Sequence, residues 1–133
     1  MTTASKPPAQ CLVLVVDDDD GVRETLREVI EMAGCRAELA TNGAEGLALL
    51  QGIRPCLIVL DLMMPVMNGS AMLKALRAEP SLASLPVVIS TSAPNRAPAG
   101  VPVLSKPINI DALWACIRKA CPNAENASEA RPQ

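Results

Sequence analysis

The chain has 133 residues, of which 50% are hydrophobic and 20% charged, with a net charge of −2 at pH 7. These values indicate one globular domain and argue against a nucleic-acid-binding surface, which normally carries an excess of basic residues. Histidine is absent, which excludes catalytic triads and metal sites that depend on an imidazole.

Apolar runs typical of buried strands alternate along the chain with segments whose apolar residues recur at helical spacing. In chain order, the predicted elements are strand 11–16, helix 22–33, strand 36–40, helix 43–51, strand 57–60, helix 69–77, strand 87–90, strand 101–104 and helix 110–120. Asp20 is the expected N-cap of the first helix, and Gly34 the expected residue just past its end. Residues 92–100 contain two prolines and a glycine and are predicted to form a loop. This alternation predicts an α/β fold with a parallel sheet covered on both faces.

The two ends of the chain are polar and contain proline, so residues 1–10 are expected to form a flexible leader and residues 122–133 a flexible tail. Residues 11–121 are then the predicted domain. No apolar run is long enough to cross a membrane, and the leader lacks the apolar stretch of a signal peptide. The five cysteines include no CxxC pair and are predicted to be reduced. These features predict a cytoplasmic protein.

Polar residues follow the predicted strands at the point where each strand ends. Asp17 and Asp18 follow the first strand, Asp61 the third, Thr91 the fourth and Lys106 the fifth. Each of these residues alone has an ordinary structural role, such as capping a helix. In an open α/β sheet, however, ligands bind in the crevice beyond the carboxyl ends of the strands. The five residues are therefore predicted to line one pocket.

The predicted pocket has the chemistry of a metal-assisted phosphoryl site. Three carboxylates repel one another by roughly 4 kcal/mol per pair at 4 Å and an effective dielectric constant of about 20. A divalent cation relieves this repulsion, and an oxygen-only donor set suits Mg²⁺ or Mn²⁺, often shared with phosphate oxygens. Lys106 offers a charge and Thr91 a hydroxyl to phosphoryl oxygens. One carboxylate is the expected nucleophile, since the chain has no histidine or tyrosine to compete for that role.

Four segments resemble the receiver domain of two-component response regulators. They are VLVVDDD at 13–19, IVLDLMMPVMNG at 58–69, PVVISTSA at 86–93 and VLSKP at 103–107. The second segment is the most specific of the four, and the resemblance extends over roughly residues 11–121. It implies a three-layer, flavodoxin-like (CheY-like) fold, in which five parallel strands are ordered 2-1-3-4-5 with helices on both faces.

The resemblance also implies a role for each acidic residue of the pocket. Asp61 matches the aspartate that accepts the phosphoryl group. Asp17 and Asp18 match the acidic pair that holds the metal ion together with Asp61 and the backbone carbonyl of Met63. Within this pair, Asp18 is the expected direct ligand and Asp17 is expected to act more through water.

The remaining residues of the pocket match the family's phosphoryl-binding groups. Thr91 and Lys106 match the hydroxyl and the lysine that contact the phosphoryl group, and with Asp61 they form the implied catalytic set. Pro107 matches a proline whose bond to the preceding lysine is usually cis. Gly69 is expected at a backbone position that needs the conformational freedom of glycine.

The sequence departs from the family pattern at two places. Val103 stands where the family usually has an aromatic residue, three positions before the lysine. The span from Thr91 to Lys106 is shorter than usual, so we expect the family's fourth helix to be missing or reduced to one turn. Trp114 is expected either to shield the sheet face that this helix would cover, beside residues 101–104, or to anchor a partner. Because the reduced helix belongs to a common dimerisation surface, a monomer is expected.

The resemblance implies a signalling role in a bacterial two-component system. A sensor histidine kinase or phosphotransfer protein donates its phosphoryl group to Asp61 with Mg²⁺, and a protein target reads the phosphorylated state. The domain promotes only its own phosphotransfer and dephosphorylation, and binds neither nucleic acid nor membrane. The alternatives are a phosphate sink or relay intermediate, and a small Mg²⁺-dependent phosphatase suggested by the Asp17-x-Asp19 spacing. A third alternative is a receiver that binds partners without phosphorylation, and the complete set of Asp18, Asp61, Thr91 and Lys106 argues against it.

Overall fold

A computed structural model of the chain describes residues 11–120. In chain order its elements are β1 (Leu12–Val16), α1 (Asp20–Met32), β2 (Arg36–Ala40), α2 (Gly43–Leu49), β3 (Leu57–Asp61), α3 (Gly69–Ala78), β4 (Val87–Thr91), a 3-10 turn (Pro94–Arg96), β5 (Val103–Ser105) and α4 (Ile110–Ala120). None of the described helices is long and apolar enough to cross a membrane. The predicted leader 1–10 and tail 122–133 lie outside the described residues, as does the last residue of the predicted domain 11–121.

The five strands form one parallel sheet in the order β2-β1-β3-β4-β5. This is the 2-1-3-4-5 order that the resemblance implied, and the predicted α/β fold is confirmed. The three inner strands β1, β3 and β4 are almost wholly buried. They are continuously apolar because helices cover both of their faces.

The side chains of the strands divide the interior into two cores, since successive residues of a strand point to opposite faces. Helices α1 and α4 cover the first face, called here the α1–α4 face, whose core includes Val13, Val15, Val59, Val88, Leu104, Ile30 and Ile117. Helices α2 and α3 cover the α2–α3 face, whose core includes Leu14, Val16, Ile58, Leu60, Ile89, Met72 and Leu76. Helices thus pack on both faces of the sheet, and they fix the position of the carboxyl ends of its strands.

Side-chain caps define where the helices begin. The carboxylate of Asp19 accepts a hydrogen bond of 2.9 Å from the backbone N–H three residues later, so Asp19 is the N-cap of α1 and the prediction of Asp20 is wrong by one residue. Asp20 lies in the first turn instead, where a negative charge favours the helix dipole. Asn42 and Asn68 cap α2 and α3 in the same way. Gly34 follows α1 with a φ of 87°, as predicted for the residue past a helix end.

The connection between β4 and β5 has no α-helix, which confirms the predicted reduction of the family's fourth helix. Its regular structure within the described residues 92–102 is the single 3-10 turn. Strand β5 begins at Val103 rather than at residue 101, because Pro102 has no N–H to donate to the sheet. Ala97 and Val101 are partly buried against the core of the α2–α3 face. The loop itself therefore covers part of the surface that a helix would have covered.

Trp114 joins α4 to α1. Its indole Nε1 donates a 3.0 Å hydrogen bond to the carbonyl of Val29, in the last turn of α1, where carbonyl groups lack partners within the helix. Trp114 packs on the α1–α4 face, whereas Val101 and Val103 pack on the opposite face. The prediction that Trp114 shields the face left by the reduced helix is therefore wrong.

The cysteines do not all share one oxidation state. Cys35, Cys56 and Cys116 are free. Burial, with a smaller contribution from Cys56, raises the pKa of Cys35 to about 11, so this thiol stays protonated. Cys11 is disulfide-bonded, and the prediction of reduced cysteines is wrong for this residue.

Candidate functional site

Three of the predicted site residues meet at the carboxyl end of the sheet. Asp17 follows β1, Asp61 is the last residue of β3, and Lys106 follows β5. Each of them lies two residues beyond a core residue of the α1–α4 face, namely Val15, Val59 and Leu104. Because side chains alternate along a strand, all three polar side chains belong to that face.

The carboxylates of Asp17, Asp18 and Asp61 form one cluster. One oxygen of each carboxylate lies within 4.8 Å of the others. Asp17 and Asp61 are buried, with 1% and 6% of their surface exposed, whereas Asp18 is exposed to solvent. Donors that are all carboxylate oxygens suit a hard divalent cation such as Mg²⁺ or Mn²⁺ and do not suit a soft metal. These three residues therefore fit the metal that the sequence predicts.

Lys106 connects the two buried carboxylates. Its Nζ donates hydrogen bonds to Oδ2 of Asp17 at 2.9 Å and to Oδ1 of Asp61 at 3.3 Å. The bond between Lys106 and Pro107 is cis, as the resemblance implied. With Asp18 nearby, the cluster has three carboxylates and one ammonium group, so a negative charge remains for a cation to neutralise.

The surroundings change the pKa of both Asp61 and Lys106. Burial and the charge of Asp17 raise the pKa of Asp61 above its ordinary value, although Lys106 and the backbone N–H of Met63 oppose the change. Burial lowers the pKa of Lys106, but its hydrogen bonds to Asp17 and Asp61 and their charges raise it above its ordinary value overall. Lys106 is therefore held as a cation, and the ionised form of Asp61 is less favourable than that of a free carboxylate.

Two backbone groups and the side chain of Arg23 hold Asp17 in place. Its Oδ1 accepts a 2.9 Å hydrogen bond from the N–H of Asp19, and its own N–H donates to the carbonyl of Ala40 at 3.0 Å. Its carbonyl accepts a 2.6 Å hydrogen bond from Nη1 of Arg23, which also pairs with exposed Asp20. Arg23 was not among the predicted site residues. The i, i+3 spacing of Asp20 and Arg23 indicates an ion pair, but nothing in the sequence indicates the bond to Asp17.

Thr91 lies beside this cluster without a hydrogen bond to it among the described residues. Its side chain is buried, and its Oγ1 accepts a 3.0 Å hydrogen bond from the N–H of Ala93. Its carbonyl accepts a 2.8 Å hydrogen bond from the N–H of Lys106, which places the two residues next to each other at the sheet edge. The structure thus brings Thr91 to the same edge of the sheet as the carboxylate cluster.

The loop after Asp61 approaches the site closely. Met63 is 57% exposed, and its backbone N–H hydrogen-bonds to Asp61. At Gly69, a Cβ atom would lie 2.3 Å from the carbonyl oxygen of Asp61 and 2.9 Å from Cα of Leu62. Gly69 is the first residue of α3, and no positive φ is recorded for it. The prediction that it supplies conformational freedom is therefore wrong: glycine is needed because the backbone of Asp61 leaves no room for a side chain.

The sequence of this chain is similar to those of known response regulators. A family model described as "Response regulator receiver domain" matches residues 13–118. Response regulator Rre1 of Synechocystis is 34% identical over 129 residues, which cover 89% of this chain and 54% of that protein. Response regulator MprA of a Mycobacterium species (strain KMS) is 41% identical over 80 residues, which cover 60% of this chain and 34% of that protein. The chain thus spans about half the length of the first relative and a third of the second.

Solved structures share the fold. The chemotaxis response regulator CheY4 of Vibrio cholerae is 28% identical with a TM-score of 0.76, and the match covers 84% of this chain and 99% of that one. A response regulator receiver protein from Pseudomonas putida is 27% identical with a TM-score of 0.75, and the match covers 85% of this chain and 99% of that one. The fold described above is thus similar to the folds of both proteins.

Proposed function

This chain belongs to the response regulator receiver domain family, and we propose on that basis that it accepts a phosphoryl group on Asp61 in a two-component signalling system. The proposed donor is the phosphohistidine of a sensor histidine kinase or of a phosphotransfer protein. A receiver domain is a signalling module rather than an enzyme, so the proposed product is a changed surface that a protein target reads. The proposed receiver unit is 11–121, with 1–10 and 122–133 as flanking segments.

The observation that supports this proposal most strongly is the contact of Lys106 with two buried carboxylates. Both oxygens of Asp17 accept hydrogen bonds of 2.9 Å, one from Lys106 and one from a backbone N–H. The bond from Lys106 to Asp61 is longer, at 3.3 Å, and Asp18 is exposed. Asp61 is thus the buried carboxylate that Lys106 holds less tightly, and we assign it as the nucleophile.

The proposed transfer exchanges one bond to phosphorus for another. A carboxylate oxygen of Asp61 forms a bond to phosphorus while the P–N bond of the donor breaks, and the electron pair stays on the imidazole nitrogen of the donor. Negative charge on the phosphoryl oxygens then lies where Lys106 now contacts Asp61. A preorganised cation at this position stabilises that charge without further rearrangement.

Asp17, Asp18 and Asp61, with the backbone carbonyl of Met63, are the groups proposed to hold Mg²⁺ or Mn²⁺. When bound, the metal supplies positive charge that lets a phosphoryl dianion enter an acidic pocket. Thr91 is proposed to donate a hydrogen bond from its hydroxyl to a phosphoryl oxygen, because its oxygen accepts a bond from the N–H of Ala93 and the hydroxyl proton is left to donate. The proposed catalytic set is therefore Asp61, Thr91 and Lys106.

The proposed surroundings of the protein follow from the family. Its proposed location is the cytoplasm, its proposed partners are a kinase or phosphotransfer protein and one protein target, and no membrane or nucleic-acid partner is proposed. No feature of the described residues favours the sink, relay or phosphatase alternatives over this function.

Acetyl phosphate can test the proposal without knowledge of the kinase. With Mg²⁺, intact-mass spectrometry is expected to show one added phosphoryl group on the unaltered chain and none on Asp61→Asn. Chelation of the metal is expected to abolish the addition, while Asp111→Asn, a change at an exposed aspartate of α4, serves as the matched control and behaves like the unaltered chain. Equal phosphorylation of Asp61→Asn would contradict the assignment.

A further inference from the structure

Ser90 has a buried hydroxyl group without a partner, next to the site. The residue is 1% exposed, and its Oγ has no hydrogen-bond partner among the described residues 11–120. A buried hydroxyl that makes no hydrogen bond destabilises a fold, and for that reason nearly all buried polar groups in proteins are paired. The unpaired state of Ser90 therefore calls for an explanation.

The sheet places Ser90 between Asp61 and Lys106. Ser90 is in register with Asp61 on β3 and with Leu104 on β5. It follows Val88 by two residues, and Val88 packs in the core of the α1–α4 face. Neighbouring strands lie about 4.8 Å apart, and side chains in register on parallel strands point to the same face. The side chains of Ser90 and Asp61 are thus neighbours, and Lys106 lies on the far side of Ser90, two residues beyond Leu104.

Several side chains of the described strands are neighbours of Ser90. Among them, the side chain of Asp61 is the one that can accept a hydrogen bond. The other side chains of the same face around Ser90, those of Val59, Val88 and Leu104, are apolar. Lys106 can only donate hydrogen bonds, and its Nζ already contacts carboxylates. Rotation about the Cα–Cβ bond moves Oγ of Ser90 among three staggered positions, which lets it turn toward its neighbour on β3.

We propose that the hydroxyl of Ser90, after rotation about its Cα–Cβ bond, donates a hydrogen bond to the carboxyl group of Asp61 and thereby shortens the lifetime of a phosphoryl group on that residue. The statement about lifetime rests on the proposed function, whereas the hydrogen bond does not. In hydrolysis, a water oxygen forms a bond to phosphorus and the P–O bond to Asp61 breaks. The electron pair returns to the carboxylate, and the proton of the water leaves with inorganic phosphate. A donor beside Asp61 stabilises the negative charge that appears there, so it accelerates the loss.

A double-mutant cycle on the unphosphorylated protein tests the hydrogen bond. Ser90→Ala is expected to lower the melting temperature of the unaltered chain by about 2–5 °C and to have no such effect in an Asp61→Ala background. A hydroxyl that is merely unpaired would instead make Ser90→Ala stabilising in both backgrounds. Equal destabilisation in both would mean that Ser90 bonds to another group. Either of these results would overturn the proposal.

The lifetime is tested on protein phosphorylated by acetyl phosphate, from which free donor has been removed. Ser90→Ala is expected to slow phosphate release by roughly threefold to tenfold, about the effect of one net hydrogen bond, and Ser90→Thr, which keeps a hydroxyl, is expected to restore most of the rate. Ser84→Ala is the matched control, because Ser84 is an exposed serine just before the N-terminal end of β4. Release from Ser90→Ala at the unaltered rate would overturn the effect on lifetime. If the unaltered chain takes up no phosphoryl group, the proposed function fails. The double-mutant cycle on unphosphorylated protein still shows whether Ser90 and Asp61 form the hydrogen bond.

Discussion

Burial makes the charge of Asp61 costly before any cation or phosphoryl group binds. Burial and Asp17 raise its pKa, with Lys106 opposing the change, so the folded chain holds a proton on Asp61 more tightly than the unfolded chain does. As pH rises above the ordinary value of 3.8, the unfolded chain loses this proton first, and the stability of the fold decreases until Asp61 ionises in the folded state too. The ionised carboxylate of Asp61 thus lowers the stability of the fold.

The first prediction concerns Asp61→Asn. Without divalent cations at about pH 7, we expect this variant to melt about 2–5 °C above the unaltered chain, because the amide is neutral at every pH. The difference should shrink as the pH falls below the ordinary carboxyl range, where Asp61 is protonated in both states. Melting curves followed by circular dichroism measure both effects. Equal melting temperatures near neutral pH would show that the charge of Asp61 is not destabilising.

The second prediction concerns Lys106, whose removal leaves two buried carboxylates without their cation. Lys106→Met is expected to lower the free energy of unfolding by about 2 kcal/mol, and the addition of Asp61→Asn should recover part of this loss. Since its pKa is raised in the folded chain, the stabilising effect is present below the ordinary value of 10.5 and is lost as pH rises through the folded value. Urea titrations measure the loss, with the exposed Lys119→Met as control. An unchanged midpoint for Lys106→Met would contradict the ion pairs.

At the scale of elements, the start of α3 lies close against the backbone of Asp61 at the end of β3. The third prediction is that Gly69→Ala destabilises the fold by more than about 2 kcal/mol. The new Cβ would meet the carbonyl oxygen of Asp61 at 2.3 Å, and neither the end of β3 nor the start of α3 can move away freely. Gly52→Ala is the matched control, since a Cβ there meets nothing within 4 Å. Denaturant titrations of both variants measure the difference. Similar stability of the two would indicate that the close approach at α3 relaxes without cost.

The strands and the residues that end them could be predicted from the sequence because both depend on local pattern. Continuous apolar runs predicted β1, β3 and β4, and topology alone brought Asp17, Asp61 and Lys106 to one edge. The tertiary contacts could not be predicted in this way. The hydrogen bond from Trp114 to Val29 joins residues 85 positions apart. The hydrogen bond from Arg23 to the carbonyl of Asp17 depends on the orientation of α1 relative to the end of β1.

At the scale of the whole molecule, the short connection between β4 and β5 bears on how two copies are expected to associate. The fourth prediction is a monomer both with and without beryllofluoride, a mimic of the phosphoryl group, because the reduced connection presents only a 3-10 turn beside β5. Light scattering at several protein concentrations measures the mass. A dimer that appears with beryllofluoride and is lost when residues of β5 or α4 are changed would contradict this prediction.

The central claim is that Asp61 carries the phosphoryl group, and chemical trapping tests it most directly. After reaction with acetyl phosphate and Mg²⁺, borohydride reduces an aspartyl phosphate to homoserine, whose position is then read by peptide mass spectrometry. The account predicts homoserine at residue 61 alone, and none when Mg²⁺ is withheld. Homoserine at residue 17 or 18, or a phosphorylated chain with unmodified Asp61, would contradict it.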